Sequence, residues 1–267
     1  MSETNAEGDR LVDEVEHARY YATHHQHMGL SESHPLRGVE FDANFRPFLP
    51  PPPARVLDIG FGQGWTLRRL AGLGYEDLHG WDVARDCVAE ARESGVPGRL
   101  ENVDAIEALH SIEPNQFDAI LAKDLLEHLS HERVLPFVSG VHRALAQGGV
   151  FLARLPNMAN PLAGFLRYDD FTHRLGFTEN SVRQVLALGG FAREEVRVVG
   201  DFLPSAALLR QGLVGVFLVE KAAGPLVRLL LRLALSSQRK GAAEVQTLRL
   251  IVCAMKSQRR SQLEVPA

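Results

Sequence analysis

The 267-residue chain has little cysteine, no long uncharged apolar run and no excess of positive charge. Its two cysteines, Cys87 and Cys253, lie far apart among apolar neighbours. A disulfide framework or a cysteine metal site is therefore not expected, and a reducing compartment fits. Met1 to Val15 is polar and acidic, without a basic stretch leading into an apolar one, which argues against a secretory signal and for the cytoplasm. The formal charge of −4 offers no global attraction to nucleic acid. It conceals an asymmetry: residues 201–267 hold 10 Lys/Arg against 4 Asp/Glu, and the preceding 200 residues hold 19 against 29.

With 45% hydrophobic residues the chain can build one large α/β domain with decorations. Residues 1–53 contain five of the eleven histidines and end in Pro50-Pro51-Pro52-Pro53, a stiff spacer before the core. From Arg55 onward short β-branched runs alternate with helical patterns. Strands are predicted at 55–59, 78–82, 99–103, 117–122 and 149–154, separated by helices at 64–73, 84–94, 105–110 and 132–146, the last stopped by Gly148-Gly149. Thr178 is placed to cap a helix over 179–188, and strands follow at 194–199 and 248–254. Such alternation requires crossover helices and a mostly parallel sheet.

The first strand leads into Asp58-Ile59-Gly60-Phe61-Gly62-Gln63-Gly64, with three residues lacking side chains in the turn before a helix. Backbone there can approach a ligand closely. Asp82 ends the second strand, where a carboxylate can accept from both hydroxyls of a ribose, and Asp104 ends the third. A nicotinamide dehydrogenase shares much of this spacing, but a pyrophosphate disfavours an acid in the loop, whereas an ammonium and a sulfonium favour one. The glycines also read G-x-G-x-G rather than G-x-G-x-x-G.

At these positions the chain resembles the class I S-adenosylmethionine-dependent methyltransferases, whose first motif is an apolar run and D-x-G-x-G-x-G before a helix. The nearest subgroup mostly carries Cys where Phe61 stands. The resemblance spans about residues 54–200 and the strand near 250. It implies a Rossmann-like α/β fold, a seven-stranded, mostly parallel sheet in the order 3-2-1-4-5-7-6 whose last strand is antiparallel. It further implies S-adenosyl-L-methionine as cofactor, with Asp58, Gly60, Phe61, Gly62 and Gly64 about the methionine part, Asp82 and Val83 at the ribose, Asp104 and Ala105 at the adenine, and Ala122 and Lys123 at the end of the fourth strand.

Beyond that strand, Asp124 to Leu129 carries a Glu127-His128 pair resembling the "EHL" signature of small-molecule methyltransferases, including those of ubiquinone biosynthesis. The resemblance implies that Asp124, Glu127 and His128 could contact the acceptor or hold a divalent metal, although nothing in the sequence requires one. A structural role as helix caps and a packed histidine is equally open.

After the fifth strand come Asn157, then Arg167-Tyr168-Asp169-Asp170-Phe171-Thr172-His173, then Phe177-Thr178, text resembling a subgroup of bacterial glycan, lipid and secondary-metabolite pathways. Methyl transfer is an in-line displacement, so the protein has to align the acceptor and, for a hydroxyl, take its proton. His173, oriented by Asp170 or Asp169 and assisted by His128, is the expected base, with Asn157, Arg167 and Tyr168 expected at the acceptor. The alternative is that Asp170 and His173 only lock their loop.

Arg19-Tyr20-Tyr21 and His24, His25 and His27 belong to an expected helical arm or lid over 1–53. Residues 201–246 form an apolar, basic insertion in which Arg228 and Arg232 share one helix face, a pattern suited to a membrane interface, to a second subunit in a homodimer or to the chain's own core. The longest uncharged run is too short to span a bilayer, so any membrane contact is expected at the inner face, through residues 205–240. Residues 258–267 read as a tail. The expected reaction is O-methylation of a small-molecule, sugar-containing or lipid-linked (glycan) acceptor, not a nucleic acid. An N- or C-methyltransferase of a natural-product pathway and a non-catalytic cofactor-binding relative are the alternatives.

Overall fold

A computed structural model describes residues 36–160, 163–202, 226, 229–230 and 247–257. The described residues open with α1 (Leu36–Asn44) and a 3-10 turn, and then alternate β1 (Val56–Ile59), α2 (Trp65–Gly72), β2 (Leu78–Asp82), α3 (Arg85–Glu93), β3 (Arg99–Asn102), α4 (Ala105–Ser111) and β4 (Phe117–Lys123). After a 3-10 turn at Leu126–His128 come α5 (His131–Ala144), β5 (Leu145–Pro156), α6 (Gly164–Tyr168), α7 (Glu179–Leu188), β6 (Val196–Gly200) and β7 (Arg249–Met255). The seven strands lie in the order β3-β2-β1-β4-β5-β7-β6, as expected. All neighbours are parallel except those of β7, which runs antiparallel to both β5 and β6.

The two sheet faces account for the pattern of the strands. Leu57, Ile59, Ile120, Phe151 and Val252 face Phe137, Val141, Val182 and Leu186 of α5 and α7. Val56, Leu121, Leu152 and Ile251 face Leu67, Leu70, Val88 and Ala91 of α2 and α3, with Phe41 and Phe45 of α1 completing that layer. Strands covered on both faces read as continuous apolar runs, which is why β1 and β4 carry no clean alternation.

The helix before β5 ends at Ala144, earlier than the double glycine suggests. Leu145 already pairs with Phe117, and the buried Lys256 ammonium donates to the Leu145 carbonyl at 2.7 Å, satisfying an oxygen at the helix end. Gly148, with φ of +79°, lies inside β5 rather than at a helix terminus. The Thr178 cap is present as expected. Its hydroxyl accepts from Ser181 N, while Ser181 Oγ accepts from Thr178 N. The segment around Glu127 does not cap α5, whose N-cap is Ser130.

The histidine-bearing segment before residue 36 and most of the 201–246 insertion lie outside the described residues, so the lid, membrane and dimer expectations for them rest on sequence. Leu226, Leu229 and Leu230 within the insertion are exposed. Among the described residues no helix is long and apolar enough to cross a membrane.

Candidate active site

Where the strand order reverses between β1 and β4, two cavities open at the carboxyl ends of the strands, the usual ligand position in open α/β sheets. The first, of about 120 Å³, is lined by Trp81, Asp82, Val83, Asp104, Ala105, Arg133 and Phe137 among others. The second, of about 300 Å³, is lined by α1 and the glycine loop on one side and by Lys123, Glu127, Arg154, Asp170 and His173 on the other. Gly60, Asp124 and His128 line both, and so mark their junction.

Asp82 is buried and organises the loop: Gly62 N donates to one of its oxygens at 2.9 Å and Ala84 N to the other at 2.8 Å. The carboxylate keeps further lone pairs for a ligand in the first cavity. Asp104 caps α4, accepting from Ile106 N at 2.9 Å, and pairs with Arg133, a cavity residue that sequence reasoning missed. Ala105 lines the same cavity. Trp81, also missed, lines it with an indole N–H that has no partner among the described residues.

Gly60, Gly62 and Gly64 all have positive φ. For Gly64 the cause is packing as well as ligand access. A Cβ there would meet both Val96 methyls at 2.5 Å, and φ of +79° disfavours any side chain. Gly64→Ala should therefore cost about 2–3 kcal/mol of stability, seen as a lower Tm. Adding Val96→Ala should recover the steric part; a Tm for Gly64→Ala equal to wild type would contradict this packing. Phe61 is buried against Gly80 and reaches the second cavity.

Asp58 is buried, and its carboxyl is pushed up to about 7 by desolvation, with Lys123 opposing. Lys123 is lowered to about 8, by desolvation and by Arg154, against the pull of Asp58. Its ammonium sits 5.3 Å from the Trp65 ring and 5.9 Å from each of Phe41 and Phe45. A ligand ammonium arriving at Asp58 would restore its charge. Ala122 is fully buried within the sheet and lines neither cavity.

His173 lines the second cavity. Its Nδ1 lies 2.7 Å from the Leu166 carbonyl, which can only accept; Nδ1 therefore carries a proton, and Nε2 is the nitrogen left to act as a base. The expected orienting role of Asp170 is corrected: Asp170 Oδ2 lies 4.0 Å from His173 Nε2, beyond hydrogen-bond reach. Asp170 instead accepts from Thr172 N at 2.8 Å and from the Thr172 hydroxyl at 2.7 Å. That hydroxyl, its proton committed, accepts from His128 Nδ1 at 2.8 Å. Burial pushes the Asp170 carboxyl up, but the Thr172 hydrogen bonds and the imidazoles outweigh it and leave a net lowering. Asp170 thus orients His128, and the two imidazole rings meet edge to face at 4.6 Å. Asp169 lines the same cavity.

Glu127 is 1% exposed, and neither carboxyl oxygen has a partner among the described residues. Burial first, and the neighbouring Asp124 charge second, hold its carboxyl well above the usual range where it faces the cavity. Glu127, His128 and His173 can each offer an atom within 4.8 Å of the others, the one group among the described residues able to hold a metal. The metal set suggested by sequence differs, because Asp124 is claimed by Arg154.

Three expected acceptor residues lie elsewhere. Asn157 is fully buried, donating to the Thr247 carbonyl at 2.8 Å and accepting from Ala159 N at 3.1 Å, which ties the end of β5 to the approach of β7. Arg167 donates to the carbonyls of His173 and Arg174 and braces the loop. Tyr168 is 80% exposed beneath the Arg167 guanidinium. None of them lines either cavity.

Residues 56–149 match the family model of the methyltransferase domain. Over that span the chain is similar to methyltransferase domains. The matched span runs from β1 into β5 and so contains the glycine loop, Asp82, Asp104 and the Glu127-His128 turn. A ubiquinone biosynthesis O-methyltransferase of Xanthomonas campestris is 32% identical over 108 residues, 39% of this chain and 44% of that protein. The match therefore spans less than half the length of that curated relative. The fold as a whole is similar to that of crystallised S-adenosylmethionine-dependent methyltransferases. A crystallised one from Archaeoglobus fulgidus aligns with a TM-score of 0.60 at 17% identity, over 84% of this chain and 95% of its own. Another, from Mesorhizobium loti, aligns at 0.57 and 19%, over 82% and 99%.

Proposed function

We propose that the protein transfers a methyl group from S-adenosylmethionine to a hydroxyl of a small-molecule acceptor, with His173 as the base. The observation that carries this reading is the base geometry: the Leu166 carbonyl fixes the tautomer of His173 and leaves Nε2 in the cavity that the glycine loop also lines.

The adenosine would occupy the first cavity, its ribose against Asp82 and its base beside Asp104, Ala105 and Trp81. The methionine part would pass the Gly60 junction toward Asp58, whose carboxyl ionises beside the incoming ammonium. The cofactor, when bound, supplies an electrophilic methyl group and a good leaving group. The chain's own work is then to exclude water, to orient the acceptor oxygen and to take its proton on His173 Nε2. His128, oriented through Thr172 and Asp170, packs on the base, and Glu127, its carboxyl held well above the usual range by burial, faces the same space. The second cavity must hold both the methionine part and the acceptor in about 300 Å³. An acceptor that is itself small, or that inserts only the reactive end of a sugar or lipid-linked molecule, suits that space.

Isothermal titration should show S-adenosylmethionine and S-adenosylhomocysteine binding, with no binding of NADH. Release of S-adenosylhomocysteine with a panel of phenolic, sugar and lipid-linked hydroxyl acceptors, alongside amine acceptors, reads the chemistry. NADH binding without S-adenosylmethionine binding would reject the reading; cofactor binding without release on any oxygen or nitrogen acceptor would indicate a non-catalytic relative.

A further inference from the structure

Asp124 is one of only two non-glycine residues, among those described, with a left-handed backbone (φ of +52°), and it stands at the junction of the two cavities. A strained conformation persists where surrounding contacts over-determine it. Here the contacts come from one residue of the neighbouring strand. The Arg154 carbonyl accepts from Asp124 N at 2.8 Å, and its guanidinium takes both carboxylate oxygens of Asp124, Nε lying 3.0 and 3.1 Å from them and Nη2 also bonding. Desolvation pushes the Asp124 carboxyl up, but the charge and hydrogen bonds of Arg154 outweigh it and hold the group down at about 2.

The remaining arm of the same guanidinium, Nη1, pairs with Glu40 of α1. Glu40 and its neighbour Phe41 line the second cavity. The helix they belong to is tied at its far end to the segment after β6, where Asn44 exchanges two hydrogen bonds of 2.8 Å with the Phe202 backbone. One rigid, planar fork thus joins the wall of the cavity to the strained turn between the cavities. A lysine could serve either partner but not both in that geometry.

We propose that Arg154 is a positioning residue that couples the seating of α1 over the second cavity to the conformation of the 123–129 turn, and thereby to cofactor binding. The link to cofactor binding rests on the methyltransferase reading above; the mechanical coupling does not.

The test uses the full chain with Glu40→Gln, Arg154→Lys and the double variant, read by S-adenosylhomocysteine affinity and by amide hydrogen exchange of ligand-free protein. Glu40→Gln should weaken S-adenosylhomocysteine about threefold and Arg154→Lys about tenfold, with the double variant no weaker than Arg154→Lys, because both changes break one coupled element. In ligand-free Glu40→Gln, exchange should accelerate in residues 123–129 as well as in 36–44. Acceleration confined to 36–44, or additive losses in the double variant, would overturn the coupling. Should wild type fail to bind S-adenosylhomocysteine, the functional reading falls, and the exchange of residues 123–129 in Glu40→Gln alone decides the coupling.

Discussion

Replacing Asp82 with alanine should lower the affinity for S-adenosylmethionine by a hundredfold or more, about 2.7 kcal/mol. Asp82 is buried, and two backbone N–H groups, Gly62 at 2.9 Å and Ala84 at 2.8 Å, depend on its two oxygens. Removing the carboxylate leaves both donors without their acceptor, at about 1–3 kcal/mol each if they stay buried. The glycine loop would then lose its geometry as well as the ribose contact. Asp82→Asn, which keeps one acceptor oxygen, should recover part of the affinity. Titration calorimetry with S-adenosylhomocysteine makes the measurement on folded protein, and an Asp82→Ala variant of unchanged Kd would remove the ribose from this position.

The second large effect belongs to the chemical step. His173→Ala should reduce turnover by about 10²- to 10⁴-fold, the usual contribution of a positioned general base. Cofactor affinity should stay within about twofold, because a group acting only in the chemical step leaves ground-state binding unchanged. His173 does not line the first cavity, which holds the proposed adenosine site. Single-turnover rates at saturating cofactor separate the two quantities. Turnover retained at wild-type level would reject the base assignment; an equal loss of affinity and rate would instead assign His173 to holding the loop.

Much of the domain was legible because its determinants are local. Three glycines within five residues between a β-branched run and a helix state a turn, and they state it whatever the rest of the chain does. Thr178 followed by Ser181 states a helix start in the same way. Gly148-Gly149 misled for a complementary reason. A glycine pair punctuates, but whether it ends a helix or kinks a strand depends on partners far away, here Phe117 opposite Leu145 and the Lys256 ammonium at the helix end.

Around the second cavity the residue types were legible and their contacts were not. Asp170-Phe171-Thr172-His173 contains an acid and an imidazole three residues apart, which suggests a direct pair. Backbone geometry instead turns Asp170 onto Thr172, and Thr172 onto His128, 44 positions earlier in the chain. Asn157 and Arg167 look like ligand-binding residues because they are polar and lie in a loop beside the sheet end. Their side chains instead satisfy carbonyls that the loop and the β5–β7 junction would otherwise leave bare. Arg154 carried the opposite signal, an arginine in the apolar run Leu152-Ala153-Arg154-Leu155, and it passed unnoticed.

By itself the sequence determined the alternation of strands and helices, the order of the sheet through its resemblance to one family, and the glycine loop with its two acids, Asp82 and Asp104. The alternation and the loop follow from periodicity and from spacings of a few to a few tens of residues, whereas the sheet order rests on the resemblance. Only the tertiary structure decided which oxygen meets which proton: the Nδ1 proton of His173, the burial of Glu127, and the fork of Arg154 between Asp124, 30 positions away, and Glu40, 114 positions away. Such contacts are set by desolvation and by the convergence of distant strands at one sheet end, and neither quantity has a local signature along the chain.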